Sequence, residues 1–382
     1  MKMTENKDKK ENIFKLQYRQ FITGNKPYFV FWFFPIFIII LFLFPFIVTR
    51  SSCMHLFDYS ETGQIGDTIG GLTAPIIAIL VAILTFFAFW VQVKANISQK
   101  EQFNKQDNDL KIERFENKFF EFVRFHRSNM EEMNIEDKFR GRLVFVELYK
   151  ELRYCFYFIK HCINELPAGT NQNDLGFDLN DDENIIKIAY LIFNHGNGDE
   201  SERLMIEPVR KLCSTYFIEI LKAKIKDNQK YFEEHKDKYG MCVLVLDFGS
   251  DDKYNYSANY KPFNGHITRL GHYFRHLYQT VKYVSEFNKV DFTEKNRYDY
   301  LKILRAQLSS YEQILLYYNS LSYLGMKWLD PDHPYLITYK LIKNLPLPLA
   351  DFGIKPETKF HDIIEKLKLK QDYLFEWQEN LN

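Results

Sequence analysis

The stretch "GHITRLGHYFRHLYQTVKYV", residues 265–284, concentrates the side chains that could carry chemistry. It contains His266, His272 and His276 together with Arg269 and Arg275. Histidine can move a proton near neutral pH, and arginine can hold a phosphate or a carboxylate. The stretch therefore indicates a metal site, a nuclease site or a polar recognition face.

A helical wheel at about 100° per residue divides this stretch into two faces. Arg269, His272 and His276 form a polar stripe, continued by Tyr283, about 140° from the apolar face. The apolar face predicts contact with a core and comprises Ile267, Leu270, Phe274, Leu277, Val281 and Val284.

Three interpretations of the stripe stay open. A zinc site could use His272 and His276, but Tyr273 stands where the HExxH motif has its glutamate, so no metal is predicted. Arg269 and His276 match the loose Arg-x4–6-His pattern of HEPN-type ribonucleases, in which arginine holds a phosphate and histidine transfers a proton. The third interpretation is a polar helix face, either for recognition or merely solvated.

A second segment, "LRAQLSSYEQILLYYNSLS", residues 304–322, is predicted to continue a helix over 293–325 and to pack antiparallel to the histidine helix. We expect a polar pocket between the two helices, with Glu312 paired to Arg269, Arg275 or a protonated histidine. Catalysis is unassigned, with Arg269 and His276 as the candidates. The predicted binding residues are His272, Arg275, Arg305, Ser309, Glu312 and Asn319.

Composition limits the classes of function. An apolar content of 46% with 17% aromatic residues predicts a folded core in this chain of 382 residues. The 50 basic and 50 acidic side chains balance, so no global positive field would attract nucleic acid. The five cysteines show no metal-ligand spacing, which predicts reduced, structural thiols and no cofactor.

Two uncharged segments, 28–49 and 69–93, are long enough to cross a membrane. Seven Lys and Arg residues precede the first segment, one lies in the loop 50–68, and five lie in 94–114. This bias predicts a two-pass hairpin, 28–93, with both termini in the cytoplasm and contact with membrane lipid. Because one hairpin without buried charge cannot form a pore, we expect a homo-oligomer.

The remainder predicts a predominantly all-α cytoplasmic part. A basic segment 1–27 precedes the hairpin, a helical stalk 94–114 follows it, and a helical domain 115–345 and a helical tail 346–382 complete the chain. Only residues 241–248 are typical of a strand, which allows one short β-hairpin. Helices are predicted at 140–165, 183–194, 200–235, 264–288, 293–325, 333–344 and 357–380.

The order of "GDTIGGLTAP", "FENKFFEFVRFHRSNM" and the two segments quoted above resembles the phage abortive infection family, the AbiC-like membrane proteins of bacteria. The resemblance spans roughly residues 60–345. It implies antiviral defence, in which an infected cell shuts down before phage mature, and it carries over no catalytic residue.

Together these features predict a defence protein anchored in the bacterial inner membrane. Its cytoplasmic domain would bind a phage-derived or host trigger and act at or through the membrane. The alternative is a membrane-tethered, metal-independent HEPN-like ribonuclease that uses Arg269 and His276, and RNA is a partner only under that alternative.

Overall fold

The structure is a computed structural model that describes residues 62–377 except 168–169, 171, 179–180, 197–208, 250–251 and 288–291, together with five single positions between 35 and 43. The chain divides into two compact units, residues 1–113 and 114–382. Most of the predicted first span, 28–49, and most of the loop 50–68 lie outside the described residues. The two-pass hairpin therefore stays a prediction.

The helix α1, Thr62–Glu131, includes the predicted second span and stalk. Its part Gly66–Glu131 is long and apolar enough to cross a membrane, and its most apolar window has a mean hydropathy of 2.6 with 0% buried. By length and composition, one helix in the described part of the chain can therefore span a bilayer.

The described elements are mostly helical, which confirms the predicted fold class. They follow in chain order, with short 3-10 turns at Met326–Leu329 and Leu347–Leu349: α1 Thr62–Glu131, β1 Asn134–Ile135, β2 Phe139–Arg140, α2 Arg142–Asn164, α3 Gln172–Leu175, α4 Asp182–His195, α5 Thr215–His235, β3 Cys242–Asp247, β4 Lys253–Ala258, α6 Ile267–Glu286, α7 Glu294–Arg305, α8 Ser310–Leu321, α9 Tyr335–Thr338, α10 Pro356–Lys359 and α11 His361–Lys368.

The core of the unit 114–382 is built around α2, α4 and α8. Helix α8 packs against both α2 and α4, and every residue from Glu312 to Leu321 is buried. Its polar groups are buried because each finds a hydrogen-bond partner within the fold.

Several predicted boundaries are corrected. The predicted helix 293–325 is broken between α7 and α8, because Ser309 caps α8 with its side chain and Glu312 completes a capping box. In the predicted helices 333–344 and 357–380, the described residues form only short helices. Strand β4, which has no strand pattern in the sequence, pairs antiparallel with β3, with Cys242 opposite Ala258. The β1–β2 pair was not predicted.

Candidate functional site

Two glycines position the start of α6 against the end of α4. Gly196 and Gly265 both have positive φ, 72° and 79°, which glycine adopts without strain. A Cβ at Gly265 would lie 2.4 Å from the carbonyl oxygen of His195, so no side chain fits there. The His266 N–H then donates to the Asn194 carbonyl at 2.8 Å. The histidine helix thus begins at a fixed place beside α4.

A buried carboxylate on α2 forms hydrogen bonds with the residues that lead into α6. Glu151 accepts hydrogen bonds from the Tyr260 hydroxyl at 2.5 Å and the Phe263 N–H at 2.9 Å, and its Oε2 lies 2.8 Å from His266 Nε2. Burial raises the pKa of Glu151, but the electrostatic interaction with His266 and these hydrogen bonds outweigh burial and hold the pKa below its usual value. Sequence reasoning missed this cluster, because Glu151 is distant in the chain from its partners.

Arg269 is held by the same cluster. Its Nε donates to the Asn134 carbonyl at 2.8 Å, and its Nη1 lies 3.3 Å from His266 Nδ1. Because His266 Nε2 faces a carboxylate, we assign the ring proton to Nε2, which leaves Nδ1 to accept from Arg269. Arg269 also lines a shallow depression of about 420 Å³ with the exposed His272, and Glu132 is in its wall.

His276 has different neighbours. Its ring lies 6.2 Å from the ring of His126 and 5.8 Å from that of Phe122, both on α1. Burial lowers the pKa of His276. Burial, and then the charge of His276, lower the pKa of His126 to about 4. His276 does not line the depression of Arg269, so the two candidate catalytic residues do not share this depression.

Three predicted binding residues, Arg305, Ser309 and Glu312, have structural roles. Arg305 is 6% exposed and donates to the Lys340 carbonyl at 3.1 Å. Glu312 accepts from the Tyr273 hydroxyl at 2.6 Å and from the Ser309 N–H at 2.7 Å. The expected pairing of Glu312 with Arg269, Arg275 or a histidine is therefore wrong, because Tyr273 and the start of α8 already occupy the carboxylate.

Arg275 and Asn319 do come together. They line a pocket between α6 and the segment that follows α8, here named the Arg275–Lys327 pocket, with a volume of about 420 Å³. Of the predicted binding residues, only Arg275 and Asn319 line this pocket, and no residue of the polar stripe does. Its lining comprises Asn194, Ile267, Leu270, Gly271, Phe274, Arg275, Tyr278, Gln279, Asn319, Leu324, Gly325, Lys327 and Trp328.

Sequence reasoning missed Lys327 and Trp328 in this wall. Both follow Gly325 in "LGMKWLDP", a segment that the prediction placed beyond its helix. The glycine is required, since a Cβ there would lie 2.2 Å from the Asn319 carbonyl oxygen. No local pattern in the sequence indicates that this turn lines a cavity.

One segment of the chain matches a known protein family. Residues 265–349 match the family described as "Putative phage abortive infection protein". This match confirms the predicted resemblance over these residues. It begins at the start of the histidine stretch and includes every residue of the Arg275–Lys327 pocket except Asn194. The abortive infection match does not include the two quoted motifs that precede residue 265. No curated protein and no solved structure matches the chain.

Metal binding has no support among the described residues. They contain no group of three or more His, Cys, Asp or Glu side chains placed to hold an ion. Cys155, Cys162, Cys213 and Cys242 are free and buried. The abortive infection segment thus contributes His266 and Arg269 to a hydrogen-bonded cluster, His272 to a depression, and Arg275 and Lys327 to a pocket.

Proposed function

We propose that this protein is a membrane-anchored abortive infection protein of the bacterial inner membrane. Helix α1 supplies an anchor, and the unit 114–382 recognises a trigger of infection and acts at or through the bilayer. The family match over 265–349 is the observation that carries this proposal. The unburied apolar window of α1, followed by basic residues of the stalk, supports the anchor.

The geometry of the family segment favours recognition over catalysis. A ribonuclease would need Arg269 to hold a phosphate, yet its Nε and Nη1 already face partners within the protein. It would also need His276 in the same cavity, and His276 instead lies against His126 and Phe122. The Arg275–Lys327 pocket has the size of a small-molecule site and offers side chains that are still available for a ligand.

The proposal is tested by phage challenge of cells that carry the full chain or a chain that starts at Lys94. Abortive infection predicts that the full chain reduces plaque formation while infected cells die. We expect the shortened chain to remain folded, checked by its abundance and circular dichroism, but to give no protection. Full protection by a folded, soluble chain would contradict the role of the membrane.

A further inference from the structure

The charged side chains that line the Arg275–Lys327 pocket are all positive. Its lining contains two cations, Arg275 and Lys327, and no Asp or Glu. Both cations are exposed, and neither forms an ion pair with another residue in the described ranges. Burial is the main cause of the raised pKa of Tyr278, and the charges of Asp330 and Glu286 raise it further. Neither carboxylate lines the pocket. The cations are therefore free to bind an anion.

Aromatic rings form the adjacent wall. Trp328 is 2% exposed, and its ring centroid lies 5.1 Å from that of Tyr278 in an edge-on arrangement. Phe274, one helical turn before Tyr278 on α6, is buried and lines the same pocket. Such a wall favours a flat, apolar ligand face, and the Arg275 guanidinium can itself stack on a planar ring.

Buried amides supply hydrogen bonds. Asn194 is 3% exposed, and its side-chain amide has no hydrogen-bond partner among the residues that the structure describes, although the residue lines the pocket. Asn319 is 4% exposed and uses its Nδ2 to donate to the Tyr190 hydroxyl at 2.8 Å. Neither amide atom of Asn194 is among the fully buried groups without a partner, so the amide reaches the solvent in the pocket. Donors and acceptors on the edge of a ligand can take the place of that solvent.

We propose that the Arg275–Lys327 pocket binds a nucleotide. Its phosphates lie at Arg275 and Lys327, its base lies against Tyr278 and Trp328, and Asn194 hydrogen-bonds the edge of the base. This inference deepens the proposed function, on which it rests for its biological role, by giving the chemical class of the trigger.

The first test uses the purified full-length protein in detergent micelles and isothermal titration calorimetry. The probes are ADP, GDP, CDP and UDP, the nucleoside that matches the best of these, and inorganic pyrophosphate. We expect one diphosphate to bind, and both its nucleoside and pyrophosphate to bind at least ten-fold more weakly. No binding of any diphosphate at millimolar concentration would overturn the proposal. Pyrophosphate or nucleoside binding as tight as the nucleotide would do the same.

Variants then place the binding in this pocket. Arg275→Gln and Lys327→Gln should each weaken the nucleotide at least ten-fold and leave the melting temperature of the unliganded protein unchanged, because both side chains are exposed and unpaired. Asn194→Ala should alter the preference among the four bases. Lys282→Gln, on the same helix but outside the pocket, is the matched control. Wild-type affinity in both cation variants would overturn the assignment.

The binding assay contains no phage, so its outcome is separate from that of the proposed function. Nucleotide binding with undiminished protection by Arg275→Gln cells would reject the pocket as the trigger site. Absent binding with intact membrane-dependent protection would reject the nucleotide and leave the proposed function standing.

Discussion

The Nε2 of His266 lies 2.8 Å from Oε2 of Glu151, and their side chains are 1% and 0% exposed. Glu151 lies on α2, and His266 is the N-cap residue of α6. Only His266 lies within the family segment. Because Tyr260 and the Phe263 N–H also donate to Glu151, one carboxylate holds the whole approach to the histidine helix. The orientation of α6, and thus of the cavities on either side of it, depends on this contact.

Replacing that carboxylate should destabilise the fold strongly. Glu151→Ala leaves His266, the Tyr260 hydroxyl and the Phe263 N–H without their acceptor in a buried site, so we expect a loss of about 3–5 kcal/mol in the free energy of unfolding. Urea unfolding of the purified full-length protein measures it. Glu234→Ala, at an exposed position on α5, should change it by about 0.5 kcal/mol or less. A loss below about 1 kcal/mol for Glu151→Ala would show that the cluster does not hold α6.

Stability should also depend on pH through His126. Its pKa of about 4 in the folded state lies below the unfolded value of 6.5, so only the unfolded state takes up a proton between these two values. Stability from the neutral ring is therefore complete above pH 6.5 and falls as the pH drops towards 4, by up to about 3 kcal/mol. The lowered pKa of Glu151 acts in the same direction, but at lower pH.

His126→Phe should reduce this dependence, because the ring nitrogens of His126 have no hydrogen-bond partner among the described residues. The check is the difference between the melting temperatures at pH 7.5 and pH 5. His361→Phe, at a position whose side chain is 71% exposed, is the control and should keep the wild-type difference. An unchanged difference in His126→Phe would refute the assignment to this histidine.

The hydrogen bond from Tyr273 to Glu312 should appear as a coupling energy. Both side chains are buried, and their oxygens lie 2.6 Å apart. In a double-mutant cycle of Tyr273→Phe and Glu312→Gln, we expect a coupling of about 1–3 kcal/mol in the free energy of unfolding. Ser309→Ala, which removes only the cap of α8, should cost about 1 kcal/mol. Additive effects in the cycle would mean that the bond does not contribute.

Substitutions along the polar stripe should differ in their effect on the free energy of unfolding. His272→Ala should cost little stability because the side chain is exposed, whereas Arg269→Ala should cost about 1–3 kcal/mol because the Asn134 carbonyl and His266 Nδ1 lose a donor. A ribonuclease requires instead that Arg269→Ala and His276→Ala each abolish RNA cleavage at normal abundance in the membrane. Unfolding measurements and RNA gels on the same variants distinguish the two outcomes.

Periodicity predicted the apolar face of α6, because five of its six predicted core positions, all but Ile267, are buried. It did not predict the partners of the next segment, where Glu312 was expected to pair with an arginine or a histidine of α6. The polar groups there are satisfied by Tyr190, Tyr273 and the backbone of Lys340, which lie far away in the sequence. No local pattern reveals such partners.

One boundary could have been predicted. The motif "SSYE" at residues 309–312 has the spacing of a capping box and marks the start of α8 inside the predicted long helix. The position of Lys327 and Trp328 in the pocket wall could not have been predicted from such a motif. It depends on a turn in which Gly325 approaches Asn319. Periodicity contains no information on such a turn.

The most direct test of the account follows membrane potential and total RNA integrity together in infected cells that carry the full chain. An abortive infection protein that acts at the bilayer predicts early depolarisation while total RNA remains intact, with neither event in cells that carry only residues 94–382. Degradation of RNA before any loss of membrane potential would contradict the account and favour the ribonuclease.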